Sequence, residues 1–168
     1  MRRLLLTALA VLPVVAGVAF AASAFDGAKS ATARFHDLEQ AKAAGYTVTV
    51  ADVAGLTCIE DPNGTGTMGV HMLNPALLFD GGVIDPVRPE ILVYEPRNDG
   101  TLKLVALEYL VFKSDFGPGR PSLFGQPFDE IPAVNRYDIP ESWALHVWLW
   151  KPNPAGMLKP YNPRVDCG

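Results

Sequence analysis

The chain has 168 residues, about half of them hydrophobic, with 14 basic against 18 acidic side chains. This acidic balance does not favour nucleic-acid binding or binding to anionic membranes, because both need a basic face. The length corresponds to one domain and is sufficient to bury a sizeable core. Fifteen prolines and fifteen glycines indicate many turns and long connections between strands.

The N-terminus has the three parts of a secretory signal peptide in the right order. Arg2 and Arg3 form a charged start, and an apolar run follows from Leu4 to about Phe20. Two consecutive Ala-x-Ala cleavage sites, Ala19-Phe20-Ala21 and Ala22-Ser23-Ala24, lie at the end of this run. The pattern therefore predicts export of the chain.

A permanent membrane anchor is the alternative interpretation of this segment. The apolar run of about 17 residues is short for a membrane span, and Pro13 and Gly17 weaken it as a helix. We expect residues 1–24 to be a signal peptide and residues 25–168 to form a single exported domain. That domain should be secreted, periplasmic or otherwise in the cell envelope, without stable membrane insertion after cleavage.

Cys58 and Cys167 are the only cysteines in the sequence. An exported chain folds in an oxidising compartment, so we expect these two residues to form a disulfide bond. A catalytic or metal-bound thiolate is the alternative, but Cys167 is the penultimate residue. The disulfide would tie a proline-rich tail to the early part of the domain.

The predicted elements alternate between apolar strands and turn-rich connections. Residues 25–33 are small and polar, which is typical of a flexible leader. A helix, four strands, a long covering segment and a final strand are then predicted at Ala33–Ala44, Tyr46–Val53, Thr67–Leu73, Ile91–Tyr94, Leu102–Phe112, Lys113–Ser142 and Trp143–Trp150. The pattern predicts an α+β fold, with the N-terminal helix packed on an antiparallel β-sheet that is curled towards a barrel.

Glu108 lies in the middle of the apolar strand Leu102–Phe112. Burying a bare charge is very costly, so its carboxyl group must be protonated, paired or bound to a metal. His71 and His146 are placed similarly, each amid apolar residues on its own strand. Because side chains alternate along a strand, His71 is expected on the same face as Gly69 and Leu73. The other face of this strand should carry Met68, Val70 and Met72.

The register of the hairpin at residues 97–101 decides which side chains accompany Glu108. A two-residue loop sets Glu95 opposite Leu104. A three-residue loop sets Glu95 opposite Lys103, a favourable pair, and therefore Glu90 opposite Glu108. We favour the second register, which adds Glu90 as an outer member of the cluster.

Two imidazoles and one or two carboxylates are a competent ligand set for a divalent transition metal, such as Zn, Mn, Fe or Cu. The candidate metal ligands are His71, Glu108, His146 and Glu90. Two alternatives remain open: a buried hydrogen-bond network that only orders the core, or pairing of Glu108 with one of three arginines, Arg88, Arg120 and Arg136. The sequence identifies no catalytic residue, and it contains neither a nucleophile elbow nor a phosphate-binding loop.

Four sequence blocks carry a resemblance to known proteins: residues 66–71 (GTMGVH), 89–96 (PEILVYEP), 107–109 (LEY) and 145–148 (LHVW). With these blocks the chain resembles a family of exported bacterial proteins of no assigned activity. The resemblance implies export and indicates neither a reaction nor a cofactor.

We therefore expect an exported protein of the cell envelope that binds a small ligand or a metal ion in a His/Glu pocket. The first alternative is a metal-dependent enzyme acting on a small organic substrate in the same cavity. The second is a structural or interaction protein without a site, whose buried polar residues fix its core.

Overall fold

The computed structural model describes residues 14–168, with side chains from Ala22 onward. The first part of the predicted signal peptide, residues 1–13, lies outside the described residues. The described chain begins with helix α1 (Val14–Thr32), a 3₁₀ turn (Ala33–His36) and helix α2 (Leu38–Ala43). None of the helices described is long and apolar enough to cross a bilayer.

The expectation of a flexible leader at residues 25–33 is wrong, because residues 25–32 form the last part of α1, Ala33 begins the 3₁₀ turn, and the segment packs on the core. The ring of Phe25 stacks on that of Phe124, with centroids 4.2 Å apart. Ala28 and Thr32 are fully buried, and the Thr32 hydroxyl donates a hydrogen bond to the Ala28 carbonyl. Small side chains let the helix approach the sheet closely. The same small residues are also typical of a flexible leader, so the composition did not indicate a packed helix.

The single helix predicted at Ala33–Ala44 is divided in two at Asp37. The backbone of Asp37 is extended, with ψ of 110°, and its carboxylate accepts a hydrogen bond from the Glu39 amide. This N-cap starts α2 as a new helix after the 3₁₀ turn. Gly45 follows α2, as predicted, with a positive φ of 102°.

Most of the strands form one antiparallel sheet, which confirms the α+β class. The strands are β1 (Val48–Thr49), β2 (Cys58–Glu60), β3 (Thr67–Leu73), β4 (Ile91–Pro96), β5 (Leu102–Phe112), β6 (Ser122–Leu123), β7 (Gln126–Pro127), β8 (Asp129–Ile131) and β9 (Ser142–Val147). The order across the sheet is β1-β3-β4-β5-β9-β8, with β2 also paired to β3 and with β6 and β7 forming a separate hairpin. The sheet is open and does not close into a barrel. Short helices α3 (Pro75–Leu78) and α4 (Lys113–Phe116) follow β3 and β5.

Each face of the sheet carries its own apolar cluster. On the helix face, side chains such as Leu92, Leu107 and Leu145 pack with Ala28 and Phe35 from the N-terminal segment. On the other face, which we call the site face, residues of β4, β5 and β9 pack with α3 and the tail: Leu78, Ile91, Val93, Ala106, Leu110, Ala144, Trp148 and Val165. The central strands are therefore buried on both sides, as the unbroken apolar run of β5 predicts.

The segment at residues 113–142 wraps around the edge of the sheet instead of covering one face only. Its first half reaches the helix face, where Phe128 is fully buried and Phe124 packs on Phe25 and Tyr109. Its second half supplies β8, which pairs with β9, and then crosses the site face with Tyr137 and Ile139. The prediction of a covering segment is thus confirmed for both faces.

The predicted hairpin between β4 and β5 forms, but a β-bulge changes its register. Glu95 lies opposite Lys103, as the three-residue loop predicts. Further along, Val93 pairs with Ala106 and Tyr94 with Leu104, so β5 has one extra residue between these pairs. As a result Ile91, and not Glu90, lies opposite Glu108.

Cys58 and Cys167 form the predicted disulfide bond, with an S–S distance of 2.07 Å and 109 residues of sequence separation. A second attachment of the tail lies nearby. The backbones of Thr67 and Asn162 exchange two hydrogen bonds, of 3.1 and 3.0 Å. The tail is therefore anchored to β2 by the covalent bond and to the start of β3 by this bridge.

Replacing Gly69 in β3 by alanine is expected to lower the free energy of unfolding by about 2–4 kcal/mol. Gly69 has φ of +108°, and a Cβ atom there would lie 2.5 Å from the Tyr94 carbonyl oxygen. Gly100 is a matched control, because it also has a positive φ (+79°) but open space around it. Gly100→Ala should cost about 1 kcal/mol. Equal losses for the two variants in urea denaturation would contradict this account.

Candidate metal centre

The structure brings His71, Glu108 and His146 together on the site face. Each offers one ligand atom, and these atoms all lie within 4.8 Å of one another. Glu108 and His146 are direct cross-strand partners in the β5–β9 ladder, and His71 reaches them diagonally from β3. All three side chains are buried, at 4%, 8% and 3% exposure.

His71 makes two polar contacts, one through each ring nitrogen. Its Nδ1 atom lies 3.1 Å from the Gly69 carbonyl oxygen, which can only accept a hydrogen bond, so Nδ1 carries a hydrogen. Its Nε2 atom lies 3.2 Å from Oε2 of Glu108. The Glu108 carboxylate therefore lies within hydrogen-bond distance of the second ring nitrogen. A backbone acceptor on Nδ1 is also the usual way in which proteins orient a metal-ligating histidine.

His146 is buried without any hydrogen-bond partner for either ring nitrogen among the residues described. Its ring lies 4.7 Å from that of Trp148 and 5.9 Å from that of His71. Burial lowers its pKa to about 3, although the Glu108 carboxylate opposes this shift, so the ring is neutral at pH 7. An unpaired buried polar group costs about 1–3 kcal/mol, so this imidazole requires an explanation.

Glu108 is held as a carboxylate by His71. Burial alone would raise the pKa of Glu108, but the hydrogen bond and the electrostatic interaction with His71 outweigh burial and lower the pKa below its ordinary value. The arginines considered as alternative partners are engaged elsewhere. Arg88 pairs with Asp85, Arg120 with Asp129 and Arg136 with Asp52.

Two cavities border the cluster. An apolar cavity of about 70 Å³ is lined by His71 and Glu108 among aliphatic side chains. A second, more polar cavity of about 250 Å³ is lined by Glu108 and His146 together with Met68, Tyr137 and Tyr161, among others. The cluster therefore lies between two spaces that a small molecule could enter.

Met68 and Tyr137 are site residues that the sequence analysis missed. Met68 was expected on the opposite face from His71, but a bulge in the pairing of β2 with β3, next to Gly69, turns it to the site face. Its sulfur lies 3.7 Å from the hydroxyl oxygen of Tyr137, which lines both cavities. The Gly69 residue within an otherwise apolar strand was the one sequence feature that could have indicated a bulge.

Glu90 does not join the cluster, which corrects its assignment as an outer ligand. The bulge between β4 and β5 gives the place opposite Glu108 to Ile91, and strand alternation places Glu90 with Leu92 on the helix face. There its carboxyl Oε2 accepts a hydrogen bond from the Leu110 amide at 3.0 Å. The carboxyl group is 2% exposed, and burial raises its pKa to about 8.

The buried carboxyl group of Glu90 should cause the free energy of unfolding to fall as the pH rises from about 4.5, the ordinary pKa of glutamate, to about 8, the raised pKa of Glu90. The folded state holds a proton on Glu90 in this range that the unfolded chain loses, so raising the pH favours unfolding. Glu90→Gln keeps the acceptor oxygen for the Leu110 amide and has no proton to lose. Its free energy of unfolding should exceed that of the wild type at pH 8.5 and not at pH 4. An equal pH dependence in wild type and variant would contradict the prediction, and Glu39→Gln, at an exposed position, is the control.

The donor set of the cluster fits a divalent transition metal. It offers two nitrogen donors and one carboxylate, and one of the nitrogen donors, His146, has no other partner within the described part of the chain. Two histidines with one glutamate occur in catalytic zinc sites, and two histidines with one carboxylate occur in non-haem iron sites. In both classes the protein leaves one or more coordination positions open for water or substrate.

Comparison with known proteins gives no further assignment: no protein-family model, no curated protein and no solved structure matches this chain.

Proposed function

We propose that this is an exported protein of the cell envelope that binds one divalent transition metal through His71, Glu108 and His146. The observation that carries the proposal is the buried, unpartnered imidazole of His146 beside two other donors. A metal ion would satisfy one of its nitrogens and would offset a desolvation cost that is otherwise uncompensated.

A purely structural network explains the same residues less well. Such a network is stabilising only when every buried member has a hydrogen-bond partner. His71 and Glu108 satisfy this condition through each other and through Gly69. His146 does not, so a structural role alone leaves two buried nitrogen atoms with no hydrogen-bond partner among residues 14–168.

Export is supported by two features that lie far apart in the chain. The N-terminal pattern of Arg2, Arg3, an apolar run and Ala-x-Ala sites is that of a signal peptide. The disulfide between Cys58 and Cys167 belongs to an oxidising compartment. The resemblance of four sequence blocks to exported bacterial proteins agrees with both.

A metal-dependent enzyme is the second candidate function, and the cavity beside His146 favours it. Three protein ligands leave at least one position of a tetrahedral or octahedral metal open. The cavity of about 250 Å³ next to Glu108 and His146 could hold a small organic substrate. There, Tyr137 and Tyr161 offer hydroxyl groups as hydrogen-bond donors.

Zinc binding by the untagged protein is expected to have a stoichiometry of one, because His71, Glu108 and His146 offer a single set of ligand atoms that lie within 4.8 Å of one another. Isothermal titration calorimetry measures the stoichiometry and the affinity.

The three histidines of the chain provide the variants for this experiment. His71→Ala should reduce zinc affinity at least tenfold, whereas His36→Ala should leave affinity unchanged, because His36 is exposed and lies outside the cluster. Failure of the wild-type protein to bind zinc, manganese, iron or copper would contradict the proposed function. Equal losses in the His36 and His71 variants would place the metal elsewhere.

A further inference from the structure

The apolar cavity beside the cluster has a lining suited to a hydrocarbon group. It measures about 70 Å³, and most of its wall is aliphatic or aromatic, with Ile91, Leu110, Phe112 and Ile139 among the lining residues. His71, Glu108 and Tyr137 complete the wall. A predominantly apolar cavity with a few polar groups at one place is the common form of a small-molecule site, in which the polar groups fix the orientation of the ligand.

The size of the cavity limits the group that it can take. Its volume is roughly half of the ~150 Å³ of an apolar cavity that accepts benzene. An aromatic ring is therefore too large, whereas a short aliphatic chain of about three or four carbons fits.

The charge of the metal-loaded site determines which charge the metal-binding group of the ligand should carry. His71 and His146 would bind the metal as neutral imidazoles, and Glu108 contributes a single negative charge. A divalent ion held by these three residues therefore leaves one uncompensated positive charge in a buried site. Buried charges need a partner of opposite sign, so the open coordination position favours a donor with one negative charge.

We propose that the cavity and the metal together bind a short-chain aliphatic monocarboxylate. The carboxylate occupies the open position of the metal, and the hydrocarbon chain extends into the apolar cavity, which shares His71 and Glu108 with the metal site. The proposal rests on the proposed function, because the metal holds the carboxylate. It adds the chemical class of the ligand.

The test uses protein loaded with Co²⁺, whose visible absorption reports ligands that join the metal, and straight-chain carboxylates from acetate to octanoate. Each methylene that enters the cavity should lower the dissociation constant about fourfold. The gain should end once about three or four carbons follow the carboxylate, since longer chains no longer fit. Metal content is measured first for every variant.

Variants of the cavity wall separate this effect from general hydrophobic binding. Ile139→Phe fills the cavity, so it should remove the dependence of affinity on chain length. Leu110→Ala enlarges the cavity, so it should move the limit to longer chains. Val134→Phe is the matched control, because Val134 lies on the same covering segment and is 92% exposed.

Two failures are distinguishable. Stoichiometric cobalt with equal affinities for all carboxylates, or a chain-length dependence that Ile139→Phe and Val134→Phe leave alike, would overturn the carboxylate proposal while the metal site stands. A protein that binds neither cobalt nor zinc would overturn the metal site and this inference with it.

Discussion

Replacing His146 by leucine is expected to abolish metal binding at the cluster and, in the absence of metal, to make the protein more stable. Leucine has a similar volume and carries no polar side-chain atoms, so the substitution removes two buried nitrogens for which the described structure offers no hydrogen-bond partner. The gain in the free energy of unfolding should be about 1–3 kcal/mol. Urea denaturation with a chelator present measures it, and zinc titration measures the loss of binding.

The opposite signs of the two effects separate a metal ligand from a structural residue. If His146 only ordered the core, its replacement would lower stability, with or without a chelator. His36→Leu is the matched control at an exposed histidine, and it should change neither quantity. A His146→Leu protein that binds zinc as tightly as the wild type would remove this residue from the site.

Loss of the disulfide bond is expected to have the largest effect on stability of any change outside the site. The bond joins residues that are 109 apart in sequence, so reduction releases a long loop in the unfolded state. The chain-entropy model gives a cost of about 4–5 kcal/mol for a loop of this length. The variant Cys58→Ser with Cys167→Ser should show this loss in urea denaturation.

The remaining attachment of the tail provides a second observation for the same experiment. Thr67 and Asn162 stay paired through their backbones without the disulfide. We therefore expect the double variant to fold, to keep its metal cluster and to unfold at a lower urea concentration. A change of less than about 1 kcal/mol would show that the unfolded chain gains little entropy when the bond is absent.

The sequence predicts the site well where strands alternate regularly. The bounds of β3 and β5 agree with the predicted ones, and His71, Glu108 and His146 share a face because an antiparallel sheet preserves alternation from strand to strand. Glu108 was identifiable because a carboxylate in the middle of an apolar strand needs a partner. These arguments depend on the two-residue alternation of side chains along a strand. They succeed because this alternation is regular at the positions of His71, Glu108 and His146.

The errors occur where one residue breaks the alternation. The extra residue of β5 lies in the run Val105-Ala106-Leu107, in which every residue is apolar, so the position of the bulge leaves no pattern in the sequence. The register predicted from the sequence therefore places Glu90 on the site face, whereas the structure has it on the helix face. Met68 is misplaced for the same reason, next to Gly69.

The prediction of a flexible leader at the N-terminal segment failed for a different reason. Residues 25–32 are mostly small, and small residues are common both in flexible leaders and in helices that pack closely. Contacts with distant parts of the chain decide between these states, notably the stacking of Phe25 on Phe124. Such contacts are tertiary and cannot be inferred from the local composition.

The most direct test is a crystal structure of the zinc-loaded protein with anomalous data collected at the zinc absorption edge. The account predicts one strong anomalous peak about 2.0–2.2 Å from His71 Nε2, from one ring nitrogen of His146 and from a carboxylate oxygen of Glu108. A site face without a peak, or zinc bound by residues other than these three, would contradict it.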